Sequence, residues 1–254
     1  MSTIDTSSSS NGRGSHAWFK GWTHLAIDRR SPGYCRVTFD HPPINALTAT
    51  TVAELGELVE LMEGDGDLNV VVFDSANADF YLADYEVERD PAGIPALPPG
   101  PAAMHAWLEL LRRLSRAPVL SIASIRGRAR GAGSEFVLAC DLRFASRENA
   151  LLGHCEVGAG PGVGPMPARL ARLVGRCRAL ELLLRADGLD GRRAEQYGYV
   201  NRAIADGRLD DEVDRIAARL ARFDHDAIAQ TKASVERAAP SGNPGGPQIT
   251  GSSM

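Results

Sequence analysis

The chain has 254 residues and a formal net charge of −4 at pH 7, and 44% of its residues are hydrophobic and 24% charged. This length allows one large domain or one domain with a small appendage, and the composition is ordinary for a globular protein. The acidic balance argues against a nucleic-acid partner, because nucleic-acid-binding domains usually carry a basic face. No apolar run approaches the roughly 18 residues of a membrane-spanning helix, so we expect no membrane partner either.

Both ends of the chain are polar and rich in residues that break regular structure. Residues 1–15 are rich in serine and lack the apolar core of a secretory signal. Residues 240–254 combine glycine, proline and serine with few apolar side chains. We therefore expect disordered tails at 1–15 and 240–254, a core over 16–185 and a helical C-terminal section over 186–239.

The sequence contains four cysteines, Cys35, Cys140, Cys155 and Cys177, and no C-x-x-C pair. This spacing argues against a disulfide framework or a zinc ribbon, and the histidines show no H-x-x-x-H spacing, so we expect no metal site. Reduced thiols are typical of the cytoplasm, where we expect the protein. Cys155 follows His154, but adjacent side chains on an extended chain point to opposite faces, which argues against a catalytic Cys–His pair.

Strand and helix patterns alternate in the first part of the chain. Residues 24–27 and 34–39 flank a Ser-Pro-Gly turn, which predicts a β-hairpin. Apolar residues recur every three to four positions over 52–62, which predicts an amphipathic helix. Residues 69–74 form a continuous apolar run, which is typical of a strand buried on both faces.

The alternation continues after a proline-rich stretch at 89–101, which predicts a mobile loop. The elements predicted next are a helix over 102–116, a strand over 118–125, a glycine-rich turn over 127–133, a short helix over 134–140 and a strand over 141–146. After about Met166 only helical patterns remain. Strands that alternate with helices indicate the α/β class.

A run of small residues, Arg130-Gly131-Ala132-Gly133-Ser134-Glu135-Phe136, lies between a predicted buried strand and a predicted helix. Small residues let the backbone turn tightly and let a ligand approach closely. The first N–H groups of a helix are not used within it, and with the helix dipole they favour negative charge, such as the oxyanion of a reacting thioester. The alternative is a tight strand-to-helix turn that binds nothing.

Six segments, in their order and spacing, resemble the crotonase superfamily of enoyl-CoA hydratases and isomerases over about residues 20–235. The segments are Pro43–Leu47, Phe80–Tyr85, Pro118–Asp141, Gly153–Gly158, Pro161–Gly175 and Glu195–Asn201. The first three are similar to the family's N-A-L segment, its F-x-A-G-x-D segment and its stretch from K-P through G-G-x-E to C-D. The last three are similar to its G-x-P-E, P-G-x-G-G…R-L and E-A-x-x-x-G-L-V segments. The resemblance implies a crotonase-like spiral of repeated β-β-α units with a helical C-terminal section.

The resemblance also implies which residues act. The backbone N–H groups of Asp84 and Ala132 would form an oxyanion hole for the thioester carbonyl of a coenzyme A substrate. Glu135 and Glu156 would hold a water between them, one as general base and one as general acid. Substrate binding falls on four further residues: Ala83, Tyr85, Gly131 and Trp107.

Each of these acidic or aromatic side chains also has a purely structural interpretation. A glutamate in the first turn of a helix, such as Glu135, is favoured by the helix dipole and by capping. Glu156 alone would be a solvated acid, and Trp107 would be part of the core.

Several positions depart from the family pattern. Asp84 stands where a small residue is usual, Ala83 where glycine is usual, and Cys155 where proline is usual before Glu156. One extra residue also separates Asp141 from Glu156. Three hypotheses therefore stay open: hydration of a 2-enoyl-CoA, another crotonase reaction (double-bond isomerisation, C–C cleavage or thioester hydrolysis), or binding of an acyl-CoA without turnover.

The resemblance further implies the partners of the protein. Coenzyme A would enter as part of the acyl-CoA substrate, with no separately bound cofactor, in fatty acid metabolism. A homotrimer or homohexamer is usual in the family, and the apolar faces of the predicted C-terminal helices are compatible with such an assembly.

Overall fold

The computed structural model describes residues 18, 21–83, 106–153, 166–185 and 187–238. The tails predicted at 1–15 and 240–254 and the loop predicted at 89–101 lie outside these ranges. The division of the chain into a core and a C-terminal section stays a prediction.

Ten strands are described, and they form two sheets. The strands are β1 (Leu25–Ser31), β2 (Tyr34–Phe39), β3 (Val70–Ser75), β4 (Phe80–Leu82), β5 (Leu120–Ile125), β6 (Arg128–Arg130), β7 (Leu142–Ser146), β8 (Leu151–Gly153), β9 (Leu189–Asp190) and β10 (Arg202–Ile204). The larger sheet has the order β1-β2-β3-β5-β7-β10, and the smaller has the order β4-β6-β8-β9. The predicted hairpin of β1 and β2 is confirmed as an antiparallel pair.

Eight α-helices are described in the same ranges. They are α1 (Ala49–Gly64), α2 (Ala106–Arg116), α3 (Ala132–Ala139), α4 (Met166–Val174), α5 (Arg176–Arg185), α6 (Gly191–Tyr197), α7 (Leu209–Leu220) and α8 (His225–Ala238). None of them combines the length and the apolar character that a bilayer crossing needs.

A β-β-α unit recurs along the chain. Each unit has one strand in the larger sheet, one in the smaller sheet and then a helix, as in β3-β4-α2 and β5-β6-α3. The strands of successive units pair in parallel within each sheet. This repetition confirms the predicted α/β architecture.

The larger sheet is buried on both faces. Along β3, Val71 and Phe73 belong to the main core, whereas Val70 and Val72 face a second core beneath α7. All four side chains have no exposed surface. The continuous apolar run of the sequence is therefore explained by helices and the smaller sheet on one side and α7 on the other.

Helix α1 is confirmed where the apolar periodicity predicted a helix. Thr48 caps it, because its side chain accepts from the Thr51 N–H and the Thr51 hydroxyl accepts from the Thr48 N–H. The apolar positions predicted to share a face are buried: Val52, Leu55, Leu58, Val59 and Met62.

Two predictions along the chain are wrong. The region after Met166 is not only helical, because β9 and β10 occur there, and β10 pairs with β7 to complete the larger sheet. The predicted turn over 127–133 contains β6, and α3 begins at Ala132 rather than at Ser134. Strands of two or three residues are too short to show a period of two, so only their pairing partners reveal them.

Candidate active site

The smaller sheet and α3 meet at Gly133. A Cβ atom placed on Gly133 would lie 2.0 Å from the carbonyl oxygen of Leu82, at the end of β4. Only glycine permits this approach of two backbones. As a result, the chain at Ala83 is held against the first turn of α3, and both Ala83 and Ala132 are 8% exposed.

The end of β4 is supported from behind by Asn45. The Ala83 N–H donates to the Asn45 carbonyl at 3.0 Å. The Asn45 side chain donates to Ser75 Oγ at 2.8 Å and accepts from the His41 N–H at 2.7 Å. Asn45 is 2% exposed and has a φ of 53°, a left-handed conformation that asparagine adopts more readily than most residues. Sequence reasoning assigned it no role, although it lies in the N-A-L segment.

The start of α3 carries two of the predicted site residues. Gly131 is the N-cap and has a φ of 50°, and Ala132 is the first helical residue. Backbone N–H groups at this position are not consumed by the hydrogen-bond ladder of the helix, and the positive end of the helix dipole lies here. This end of α3 can therefore stabilise a negative charge that develops beside it.

Glu135 lies in the first turn of α3 and is half-buried. Its backbone N–H donates to the Gly131 carbonyl at 3.0 Å. Its Oε2 atom accepts from the indole N–H of Trp107, in α2, at 2.6 Å. Trp107 was predicted as a substrate-binding residue, and its bond to Glu135 was missed, because no local pattern connects residues 28 positions apart in the chain.

An aromatic cluster supports the Trp107 ring. The ring stacks on Phe136 with centroids 6.5 Å apart and planes inclined by 23°. Phe136 is completely buried and meets Phe39 and Phe73 edge-on, with centroid distances of 5.3 and 5.0 Å. The indole therefore rests on the core of the protein and contacts two consecutive residues of α3.

Buried polar contacts hold α3 on its other side. The hydroxyls of Ser134 and Tyr199 are hydrogen-bonded to each other. Arg143 donates to the carbonyls of Tyr199 at 2.8 Å and Cys140 at 2.7 Å, which ties the end of α3 to the segment before β10. Burial lowers the pKa of Arg143. These contacts fix the helix whose first turn forms the candidate site.

Four residues of the predicted site or its surroundings lie outside the described ranges: Asp84, Tyr85, Cys155 and Glu156. Of the residues predicted to bind or react, the structure brings together Ala83, Gly131, Ala132, Glu135 and Trp107. Within the described parts of the chain, no group of three histidine, cysteine or acidic side chains is arranged to hold a metal ion.

The described cysteines are not part of this site. Cys35, Cys140 and Cys177 form no disulfide. Burial raises the pKa of the Cys35 and Cys140 thiols to about 12, so both are protonated at neutral pH. Neither has the thiolate character of a nucleophile.

A family model described as enoyl-CoA hydratase/isomerase matches residues 29–249. The chain belongs to this family. A short-chain-enoyl-CoA hydratase of Clostridium acetobutylicum is 30% identical over 208 residues, which make up 79% of this chain and 77% of that protein. The resemblance predicted from the sequence is thereby confirmed.

Solved structures of this family have the same fold. A provisionally named enoyl-CoA hydratase from Streptomyces avermitilis matches with a TM-score of 0.80 and 40% identity, over 88% of this chain and 81% of that one. An enoyl-CoA hydratase from Mycobacterium smegmatis matches with a TM-score of 0.77 and 26% identity, over 87% and 85% of the two chains. The protein is an acyl-CoA-transforming enzyme with the crotonase fold.

Proposed function

We propose that the enzyme hydrates a 2-enoyl-CoA at the junction of β4 and α3. The thioester carbonyl accepts hydrogen bonds from the backbone N–H groups of Asp84 and Ala132. The water that reacts is held between the carboxyl groups of Glu135 and Glu156. The product is the 3-hydroxyacyl-CoA, with the water oxygen on C3 and a hydrogen on C2.

The addition passes through an enolate-like state. One carboxylate takes a proton from the water as the oxygen bonds to C3, and the electrons of the C2–C3 double bond move towards the thioester oxygen. The oxyanion hole stabilises this charge, and one well-placed donor of this kind contributes roughly 3 kcal/mol. The other carboxyl group, which is protonated at the outset, delivers its proton to C2, so that one water is consumed. The proton taken from the water then passes from the first carboxyl group to the second through solvent, which returns both groups to their starting states.

The observation that carries the proposal is the contact of Gly133 with Leu82. It places the strand end that precedes Asp84 against the helix start at Ala132, so two chain segments can direct N–H groups at one carbonyl oxygen. Glu135 lies one helical turn beyond Ala132, on the same face. A general base within reach of an oxyanion hole is the arrangement that the addition of water requires.

The test is a hydration assay with crotonyl-CoA and with a longer or aromatic 2-enoyl-CoA. Loss of the absorbance of the conjugated thioester follows the reaction, and analysis of the products identifies the 3-hydroxyacyl-CoA. We expect Glu135→Gln and Glu156→Gln each to lower kcat by about 10²–10⁴-fold, because each removes one proton transfer.

Other outcomes separate the competing hypotheses. An isomerised or cleaved product, or free coenzyme A, would identify another crotonase reaction and overturn hydration. Tight binding of every acyl-CoA without turnover would contradict the proposed reaction altogether. Full activity in the Glu135→Gln, Glu156→Gln double variant would remove both residues from the mechanism.

We also propose that the enzyme is a homotrimer or homohexamer and acts in the fatty acid metabolism of the cytoplasm. Large apolar side chains are exposed on the C-terminal helices, including Leu184 at 66% and Val235 at 65%. Two further large apolar side chains, Leu173 and Phe223, line a cavity of about 870 Å³ between α4 and α8. The three cysteines in the described ranges are unpaired, which supports the cytoplasmic location. Light scattering of the pure protein tests the assembly, and a monomer would contradict it.

A further inference from the structure

The indole of Trp107 makes a contact that the chemistry of hydration does not itself require. Its N–H donates to Glu135 Oε2 at 2.6 Å, across the interface of α2 and α3. We propose that Trp107 is a positioning residue, which holds the Glu135 carboxyl group in the orientation in which it exchanges a proton with the reacting water. This inference rests on the proposed function.

An indole is suited to such a task by its chemistry. Its N–H can only donate and does not titrate, so the contact has the same polarity whether the carboxyl group is ionised or protonated. The ring is also neutral. A lysine or arginine at this place would pair with the carboxylate and oppose its protonation strongly, whereas a hydrogen bond from a neutral indole favours the ionised form less.

The position of the Trp107 ring fixes the direction in which its N–H points. The same indole that bonds to Glu135 stacks on Phe136, the next residue of α3. Phe136 has no exposed surface and lies against Phe39 and Phe73. Tryptophan has only two side-chain torsions, so a ring seated on a fixed core directs its N–H to one point. The orientation of the Glu135 carboxyl group is thus fixed relative to the core of the protein.

A role in substrate binding, as a wall of the acyl pocket, would lead to different kinetics. Loss of a wall weakens the binding of substrate in the ground state and raises KM. Loss of positioning leaves substrate binding intact and lowers kcat, because the reacting groups meet less often in the productive geometry. The ratio of the two effects therefore separates the two roles.

The central variant is Trp107→Phe, which removes the N–H and keeps an aromatic ring over Phe136. We expect kcat for 2-enoyl-CoA hydration to fall about 10- to 100-fold, with KM changed less than about threefold. In Trp107→His, an imidazole N–H is available again, and part of the lost kcat returns. Trp22→Phe is the matched control, since it removes an indole N–H that donates to the Trp18 carbonyl and not to Glu135. It keeps the wild-type kcat.

A double-mutant cycle with Glu135→Gln completes the test. If Trp107 acts through Glu135, then Trp107→Phe lowers kcat in the wild type and has almost no further effect once Glu135→Gln is present. Thermal unfolding of each variant shows whether the chain is folded, and Trp107→His gives the same comparison if Trp107→Phe is unstable.

Three results would overturn the inference. They are a kcat of Trp107→Phe within twofold of the wild type, an increase in KM alone, and an equal loss of kcat in the presence and absence of Glu135→Gln. Failure of the proposed function is distinguishable, because the wild-type enzyme itself would then not hydrate the enoyl-CoA, and both proposals would fall together.

Discussion

The protein holds two ionisable groups in contrasting ways. At the junction of β4 and α3, the Glu135 carboxyl group is half-buried and receives the N–H of a neutral indole. Between β2 and α7, the Arg36 guanidinium is bound by three carboxylates: Asp74 at 2.5 Å, Asp214 at 2.7 Å and Asp210 at 2.9 Å.

The different surroundings of Glu135 and Arg36 match two different roles, one reactive and one structural. A charge that serves structure is best neutralised by opposite charges, because an uncompensated buried charge is costly. A carboxyl group that must gain and lose a proton is better oriented by a neutral donor, because a hydrogen bond from a neutral group favours the ionised form less than an adjacent positive charge does. The Glu135 region therefore has the character of a reactive site, and the Arg36 region that of a structural bridge between the sheet and α7.

The largest effect is expected when the two backbones at the site are forced apart. Gly133→Ala places a methyl group against the Leu82 carbonyl, so the end of β4 must move away from α3. We expect kcat to fall at least about 100-fold and the free energy of unfolding to fall by about 3 kcal/mol. Hydration kinetics and denaturant unfolding measure the two effects.

Gly56→Ala is the control for this variant. Gly56 lies within α1, and an added Cβ there meets no atom within 4 Å. Alanine should raise stability by about 0.5–1 kcal/mol, because glycine is the poorer helix former, and should leave hydration unchanged. Wild-type kinetics in Gly133→Ala would contradict the assignment of the site to this junction.

Loss of the Arg36 ion pairs should lower stability without lowering kcat. Arg36→Met removes the shared partner of three aspartates and is expected to lower the free energy of unfolding by about 3 kcal/mol, while kcat of the folded enzyme stays near that of the wild type. Arg185→Met, at exposed pairs with Glu181 and Asp187, should lower stability far less, because solvent screens exposed ion pairs. Urea unfolding compares them, and equal effects would refute the importance of burial.

The smallest expected effect concerns pH. Burial, and then the charge of the neighbouring His41, lower the pKa of His24, whose ring stacks on that of His41 with centroids 3.6 Å apart. The folded state therefore favours neutral His24, and the unfolded state binds more protons just below its ordinary pKa of 6.5. This stability is fully present above pH 6.5 and decreases as the pH falls from there towards the lower, folded-state pKa.

His24→Asn tests the pH dependence. The Asn amide can keep a hydrogen bond to Thr51 Oγ1, which lies 2.8 Å from His24 Nδ1, but it does not titrate. The variant should therefore lose less stability than the wild type between pH 6.5 and pH 5. Parallel curves of unfolding free energy against pH would show that His24 does not contribute.

Much of the scaffold is predictable because its signals are local. The apolar face of α1 and the uninterrupted apolar run of β3 each reflect a neighbourhood of a few residues. The strands β9 and β10 have only two and three residues, so they exist through pairing with distant strands. The local pattern of apolar residues does not show which distant strands pair.

The site divides in the same way. The place of Glu135 in the first turn of a helix was predicted from nearby residues and from the family resemblance, although that helix begins at Ala132 and not at Ser134. The bond from Trp107 and the closeness of Leu82 to Gly133 join separate elements, and only the packed structure reveals them. A small residue such as Gly133 indicates that another group packs closely against the backbone there. It does not identify that group.

The most direct test of the account is a crystal structure of the enzyme with a bound 3-hydroxyacyl-CoA. We expect the thioester oxygen to lie about 2.7–3.1 Å from the Ala132 nitrogen, with the 3-hydroxyl group in hydrogen-bond reach of Glu135. A thioester bound elsewhere, for instance in the cavity between α4 and α8, would contradict the assignment of the active site to the junction of β4 and α3.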